Sequence, residues 1–365
     1  MTAFHRHGLM TTGKENGMNI TSTRISHAPC THGERTEKMR KNDWMILGIV
    51  AAMALAPAFV QAADITLTAS DATGTSSFTA AGHWSNSAAP SSGNDYFVAG
   101  NRVLRTPNNT SNNYTFAGNS LTLGDGTDKG TLFYKGRGST ITVDDLRLNT
   151  GVVTNSADSG SSGLLTLAGS ITVSGTGNYL SENGAYCGGI YLTANVSGSG
   201  DFGAQSANYK GSSVRIHLQG QNTYTGNTNI IDTGTKLYLD AAGSLQMVVN
   251  SVGASSQILA TGTAGDRNLY MDGTLKLNVA GVTGAGSWTL VNPTDLTTTY
   301  GATFAVKLAD GTSFAESSDV WTLTQGSTTY TFTEATGVLS VVIPEPATLA
   351  VLLAGGAMTL LRRRR

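Results

Sequence analysis

Residues 214–239 read Val-Arg-Ile-His-Leu-Gln-Gly-Gln-Asn-Thr-Tyr-Thr-Gly-Asn-Thr-Asn-Ile-Ile-Asp-Thr-Gly-Thr-Lys-Leu-Tyr-Leu. Val214, Ile216 and Leu218 alternate with Arg215 and His217, and Leu237 and Leu239 alternate with Lys236 and Tyr238. A period of two sends successive side chains to opposite faces, so both ends of this stretch are half-buried strands. Between them lies Gln221-Asn-Thr-Tyr-Thr-Gly226, and Ile230-Ile231 opens a third short apolar element. Tyr224 is expected to pack across a corner, with Asn222 and Gly226 at turn positions on either side.

The same alternation continues in both directions, from Ile65 to Val342. It recurs in Ile65-Thr-Leu-Thr68, Ser120-Leu-Thr-Leu123, Thr140-Ile-Thr-Val143, Ser170-Ile-Thr-Val173 and Leu275-Lys-Leu-Asn-Val279. Gly, Asn, Asp and Ser punctuate these segments, and no comparable window keeps a helical apolar period. The body is therefore expected to be all-β. Three strand-plus-turn phrases, starting at Leu121, Leu165 and Ile216, lie 44 and 51 residues apart. That loose repeat leaves room for coils of about 20 to 25 residues and favours a right-handed parallel β-helix. A β-sandwich, which shares the alternation but not the repeated phrase, is the alternative. Trp84 with Tyr96-Phe97 at one end, and Trp288, Trp321, Tyr330 and Phe332 at the other, are candidates to cover the open ends of a stacked core.

Composition narrows the function classes. The chain has 365 residues, 45 of them Gly, with 13% charged residues and a formal charge of −1. Between Ala63 and Ile343 there are 19 acidic and 12 basic residues, about −7. No basic stripe is available for a phosphate backbone, so nucleic acid is not an expected partner. The cysteines are Cys30 and Cys187. Cys30 falls in a segment expected to be lost, and Cys187 reads as a small buried hydrophobe.

Both ends carry sorting information. Lys38, Arg40 and Lys41 precede an apolar run from Trp44 to Val60, followed by Gln61-Ala62-Ala63-Asp64. This order of positive flank, short apolar helix and small residues is that of a secretory signal, spanning 39–62 and cut between Ala62 and Ala63. Met39 is the expected start, and residues 1–38, with no periodicity, are read as disordered and a product of start-codon choice. At the other end Pro344-Glu345-Pro346 precedes an apolar stretch, Ala347 to Leu361, and then Arg362, Arg363, Arg364 and Arg365. Fifteen helical residues span about 22 Å, short for a bilayer core of about 30 Å, but snorkelling arginines can absorb the difference. The arginines are expected on the cytoplasmic side and the extended proline pair outside.

Taken together, Ile343 to Arg365 resembles the PEP-CTERM sorting signal of Gram-negative bacteria, which membrane enzymes called exosortases recognise. The resemblance implies export through the translocon, transient anchoring by a transmembrane helix at 347–361, cleavage near Pro344-Glu345-Pro346, and delivery to the surface or extracellular matrix. These residues are then a substrate for an exosortase-like enzyme. Separately, 214–239 resembles the autotransporter-associated β-strand repeat through Asn222-Thr223-Tyr224-Thr225-Gly226, with Asn229 where threonine is commoner. Gly82 to Phe97 looks like the opening coils of such proteins. This second resemblance implies a passenger-like shape for 63–340, ahead of the sorting tail at 341–365; no autotransporter membrane barrel is expected.

Chemistry is sparse by comparison. After signal removal His83 and His217 remain, far apart, and His217 is expected on the solvated outer side of its strand. No nucleophile elbow, phosphate loop or zinc-protease motif occurs, and neither catalytic residue, cofactor nor metal is expected. Asp125 and Asp128 lack the acid density of a calcium loop. Asp144-Asp145, with Arg147 or Lys135 nearby, is the best enzymatic candidate, though adjacent strand residues face opposite ways. A structural or adhesive surface protein contacting extracellular polysaccharide or another surface protein is the expected function. A polysaccharide lyase or hydrolase on the same scaffold is the alternative.

Overall fold

The computed structural model describes residues 62–108, 111–156, 163–183, 187–206, 214–251 and 255–344. Among the described residues every named element is a β-strand. The signal run, residues 1–38 and everything from Glu345 onward, including the 347–361 helix and the arginines, lie outside them.

Residues 214–239 form one complete turn of a parallel β-solenoid. Val214–Leu218 pairs in parallel with Thr235–Leu239, setting Val214 beside Thr235 and Leu218 beside Leu239. Between these strands the chain crosses two other faces, as Gln221–Asn222 and then Thr228–Ile231. Three inward ladders result. The first face stacks Ile65, Tyr96, Leu121, Leu146, Ile171 and Val196, and resumes through Asn222, Leu245, Leu275 and Val306. The second stacks Tyr114, Ile141, Leu167, Leu192, Leu218, Leu239, Met271 and Tyr300. The third is a seven-stranded sheet that carries Leu104, Leu132, Val153, Leu180, Ala204, Ile230 and Ala260.

The long strands Ser139–Asn149 and Gly163–Ser174 run through the corner between the second and first faces, and their pairing shifts register between Val143 and Leu146. There Gly169 has φ +106°, and a Cβ on it would strike the Val143 carbonyl. Only glycine satisfies both conditions.

This geometry corrects the phase of the repeat. Leu165, Ile190 and Ile216 are register partners, so the 51-residue interval is two coils. Leu121 belongs to the first face and Leu165 to the second, so the 44-residue interval is not a whole number of coils. Asn222 also departs from its expected turn position. It is fully buried on the first-face ladder, with Nδ2 donating to Gly220 O at 3.0 Å and Ser244 O at 2.9 Å. Tyr224 is buried as expected, its hydroxyl 2.5 Å from Thr228 Oγ1 and its ring edge-on to Phe202. Gly226 is a corner residue, where a Cβ would overlap Gly200 O.

Burying an aliphatic side chain contributes about 1.5–3 kcal/mol, and the ladders repeat that contact coil after coil. Polar side chains stitch one corner. Asn178 accepts from Gly151 N at 3.0 Å, Asp201 from Asn227 N at 2.7 Å, and Asn227 from Gln257 N at 3.0 Å. On the outside of the first face, Asp95 accepts from Ser120 Oγ at 2.6 Å and Asn119 Nδ2 at 2.8 Å. The Ser120 bond first, then the Asn119 bond, holds its carboxyl below the ordinary value of 3.8. A depressed folded value means stabilisation that is present above the unfolded value and lost as pH falls through the folded one. The melting temperature is expected to drop below about pH 4, and Asp95→Asn to flatten part of that drop in a pH series of thermal melts. The difference between the two curves isolates Asp95 from Glu182, whose burial raises its carboxyl and gives the opposite slope.

Both ends are closed. At the start, the outer edge of Arg102–Arg105 is matched group by group without a further strand. Val103 N donates to Ser70 Oγ at 3.0 Å, Val103 O accepts from Asp71 N at 2.9 Å, Arg105 N donates to Asp71 Oδ2 at 2.8 Å, and Arg105 O accepts from Ser76 Oγ at 2.8 Å. Trp84, Tyr96, Phe78 and Phe116 pack edge-on or tilted beneath this loop, while Phe97 points outward. At the far end a five-stranded antiparallel sheet, built from Gly286–Thr289, Ala315–Ser317, Val320–Gln325, Thr328–Thr333 and Val338–Val342, forms the cap. Trp288 and Phe332 are buried in it, and Trp321 and Tyr330 pack against the same core.

Candidate functional site

Ala63 is the first residue of the first strand, Ala63–Thr66, which pairs with Asn94–Phe97. Pro344 follows the last strand, Val338–Val342, after one intervening residue. The described body thus occupies the interval between the two segments expected to carry sorting signals.

The decisive coil contributes to an exposed polar surface. Along Gly163–Ser174, Asn195–Gly198 and the segment from Gln221, inward buried residues alternate with outward polar ones. Parallel register aligns them into three exposed rows: Ser170–Asn195–Gln221, Thr172–Ser197–Thr223 and Ser174–Ser199–Thr225. None of these residues is charged. Thr223 and Thr225 of the Asn-Thr-Tyr-Thr-Gly phrase lie in the surface, while Asn222 and Tyr224 beneath them are buried. Strand geometry sets neighbours within a row about 4.8 Å apart and the rows themselves about 6.8 Å apart.

Hydrogen bonds fix the polarity of individual groups. Ser170 Oγ donates to Asp144 O, Ser174 Oγ to Leu148 O and Ser197 Oγ to Ile171 O. The short Ser170 bond turns its lone pairs outward, while the 3.4 Å contacts of Ser174 and Ser197 leave those hydroxyls free to donate or accept. Asn195 Oδ1 accepts from Gln221 N at 2.7 Å, and Gln221 Oε1 accepts from Ser244 Oγ and Lys276 Nζ, each at 2.7 Å. Both amides therefore direct their NH2 groups outward as donors.

On the second face Tyr191, His217, Tyr238 and Tyr270 stack in register, with ring centroids 4.2, 4.3 and 4.5 Å apart and planes within 9°. His217 is on the outer side, as its alternation requires, but its side chain is only 16% exposed. Its Nδ1 lies 2.9 Å from Asp240 Oδ1, and Gln219 Nε2 donates to Asp240 Oδ2 at 2.8 Å. Burial would raise the Asp240 carboxyl, but the bonds from His217 and Gln219 together outweigh it and hold the group below its ordinary range. Each inner ring's faces are covered by its neighbours, so this ladder stiffens the face and does not offer stacking platforms.

The enzymatic candidates separate. Asp145 forms an ion pair with Arg147 at 2.6 Å, both partly exposed, in the strand that turns the corner. Lys135 donates instead to Ser156 O at 2.9 Å. Asp125 accepts from Thr127 N and Asp128 N as a turn residue. His83 O accepts from Thr68 N in the closing loop. Cys187 is buried, with Sγ 3.2 Å from Asn155 O. Among the described residues no group of three or more His, Cys, Asp or Glu side chains is placed to hold a metal.

A cleft that sequence reasoning missed lies between the last coil and the cap. It has a volume of about 340 Å3 and is lined by Val291, Pro293, Thr298, Tyr300, Asp319 and Glu334, among others. Trp321 Nε1 donates to Glu334 Oε1 at 2.8 Å. Burial, reinforced by the charges of Asp319 and Glu316, raises the Glu334 carboxyl, and burial next to Glu334 raises the Tyr300 hydroxyl. No protein-family model, curated protein or solved structure matches the chain.

Proposed function

We propose that the chain is an exported cell-surface or extracellular-matrix protein of a Gram-negative bacterium, and that its β-solenoid, wound with the right hand that parallel crossovers follow, is a structural and adhesive body without catalytic activity. The observation that carries this reading is the exposed, uncharged grid of Ser, Thr, Asn and Gln on a body closed at both ends. A flat hydroxyl and amide surface with fixed spacing is suited to holding a partner. The positions of Ala63 and Pro344 support the rest, since cleavage at both sorting segments would leave the strands of the body whole. In this reading the translocon exports the chain, the tail holds it in the inner membrane, and an exosortase-like enzyme releases it at Pro344-Glu345-Pro346.

Envelope fractionation with terminal peptide mapping tests this reading. The expected result is a mature chain that starts at Ala63, ends near Pro346 and resides in the surface or extracellular fraction. A cytoplasmic chain that keeps both apolar segments would end the proposal. A polysaccharide lyase or hydrolase is the second reading, favoured by the raised Glu334 carboxyl facing Asp319 in the cap cleft. Shortening of a polysaccharide on incubation with the chain, abolished by Glu334→Gln, would select it instead.

A further inference from the structure

We propose that the first-face grid, with the corner groove it leads into, is a binding site for a neutral polysaccharide whose chain runs along the solenoid axis. The inference rests on the reading of the body as a contact protein and names what it contacts.

Three observations converge. The first is charge. The grid itself holds no ionisable side chain; at its borders Arg147 pairs with Asp145 at 2.6 Å, Lys276 donates to Gln221 Oε1 at 2.7 Å, and the carboxylates of Asp144 and, in the groove, Asp201 stand apart from one another. A charged polymer finds no row of opposite charges along the grid. The second is the mixture of donors and acceptors. Ser170 has its proton committed to a main-chain carbonyl and presents an acceptor, Ser174 and Ser197 lie 3.4 Å from main-chain carbonyls and can donate or accept, and Asn195 and Gln221 present amide donors. A sugar hydroxyl both donates and accepts, so a polyol matches such a surface where an ion would use only half of it. A protein partner would need apolar or aromatic anchors, and the grid supplies none.

The third is repetition. An outward polar row returns on each of three successive coils, so successive sugar residues meet hydroxyls and amides at the same spacing. Thr225, at the end of one row, also lines a groove of about 550 Å3 together with Asp201, Asn227, Asn250 and Ser256. The groove adds an open polar recess beside the grid. Ser and Thr lose little rotamer freedom on binding, and Ser170 is already held by its bond to Asp144 O.

Co-sedimentation of the full-length chain, kept in a detergent without sugar groups, with insoluble cellulose, insoluble chitin and calcium alginate tests the site. Retention on at least one of the two neutral polymers is expected, unchanged in half-molar salt, with none on the anionic alginate. The double variant Ser197→Arg/Thr223→Arg is expected to lose retention at least tenfold while keeping its β circular-dichroism spectrum. If that pair disturbs folding, Asn195→Asp, which replaces the amide donor by an acceptor of similar size, is expected to weaken retention at least threefold. Retention on alginate alone, release by salt, equal retention of the folded variants, or no retention on either neutral polymer would overturn the proposal. The assay uses purified protein, so a chain that binds cellulose or chitin but is never exported refutes the localisation and leaves the site standing.

Discussion

Replacing Asp71 by alanine is expected to lower the unfolding free energy by about 3 kcal/mol or more and to make the protein self-associate. Asp71 is 5% exposed and serves several donors: Ser77 N at 2.9 Å and Arg105 N at 2.8 Å on one oxygen, and the Ser77 hydroxyl on the other. Removing the carboxylate strands these donors in a buried position, each costing about 1–3 kcal/mol, partly offset by entering water. The same change loosens the loop that covers Arg102–Arg105. That strand would then present unpaired N–H and C=O groups, the template on which sheets extend from chain to chain. Denaturant titration measures the first effect and sedimentation velocity across a concentration series the second. A variant within about 0.5 kcal/mol of the parent, the range of an ordinary surface change, would show that the loop is held by other means.

Trp84→Ala is expected to cost about 3–5 kcal/mol, the range for deleting a buried large aromatic ring. Trp84 is 2% exposed, lies 4.8 Å from the Tyr96 ring edge-on, and donates from Nε1 to Ser77 O at 2.7 Å. Trp84→Phe retains most of the packing and loses that bond, so a cost nearer 1 kcal/mol is expected in thermal melts. Trp84 and Asp71 both hold Ser77, through its carbonyl on one side and its N–H and hydroxyl on the other. Their effects should therefore add to less than the sum of the single variants, since releasing Ser77 once removes what the second change would have removed.

The strands were legible because period-two alternation is a local property, visible in five residues such as Val214 to Leu218. Their stacking was legible in outline because similar phrases recur. Which phrases stack was not, because coil length varies: Ile216 pairs with Leu237, 21 residues on, and Leu237 with Leu269, 32 residues on. Leu121 and Leu165 sit in nearly identical phrases yet face different sides of the solenoid. The antiparallel cap escaped for a related reason, since Val320–Gln325 and Thr328–Thr333 alternate as they would in a parallel sheet.

The aromatic ladder did leave a signal. An outward ring flanked by inward aliphatics recurs in Ile190-Tyr-Leu192, Ile216-His-Leu218, Leu237-Tyr-Leu239 and Leu269-Tyr-Met271. The polar grid left a weaker one, because its rows exist only once register is known. The cap cleft joins Tyr300 to Asp319 and Glu334 across a change of sheet, which no local pattern announces.

On the first face, Tyr96, Leu121, Leu146, Ile171 and Val196 follow one another at intervals of 25 residues. A gene encoding such a stretch can gain or lose that unit by unequal crossover and still thread every aliphatic onto its own column. The number of storeys is thereby free to change while foundation and roof stay the same, which tunes the reach of the molecule without a new core.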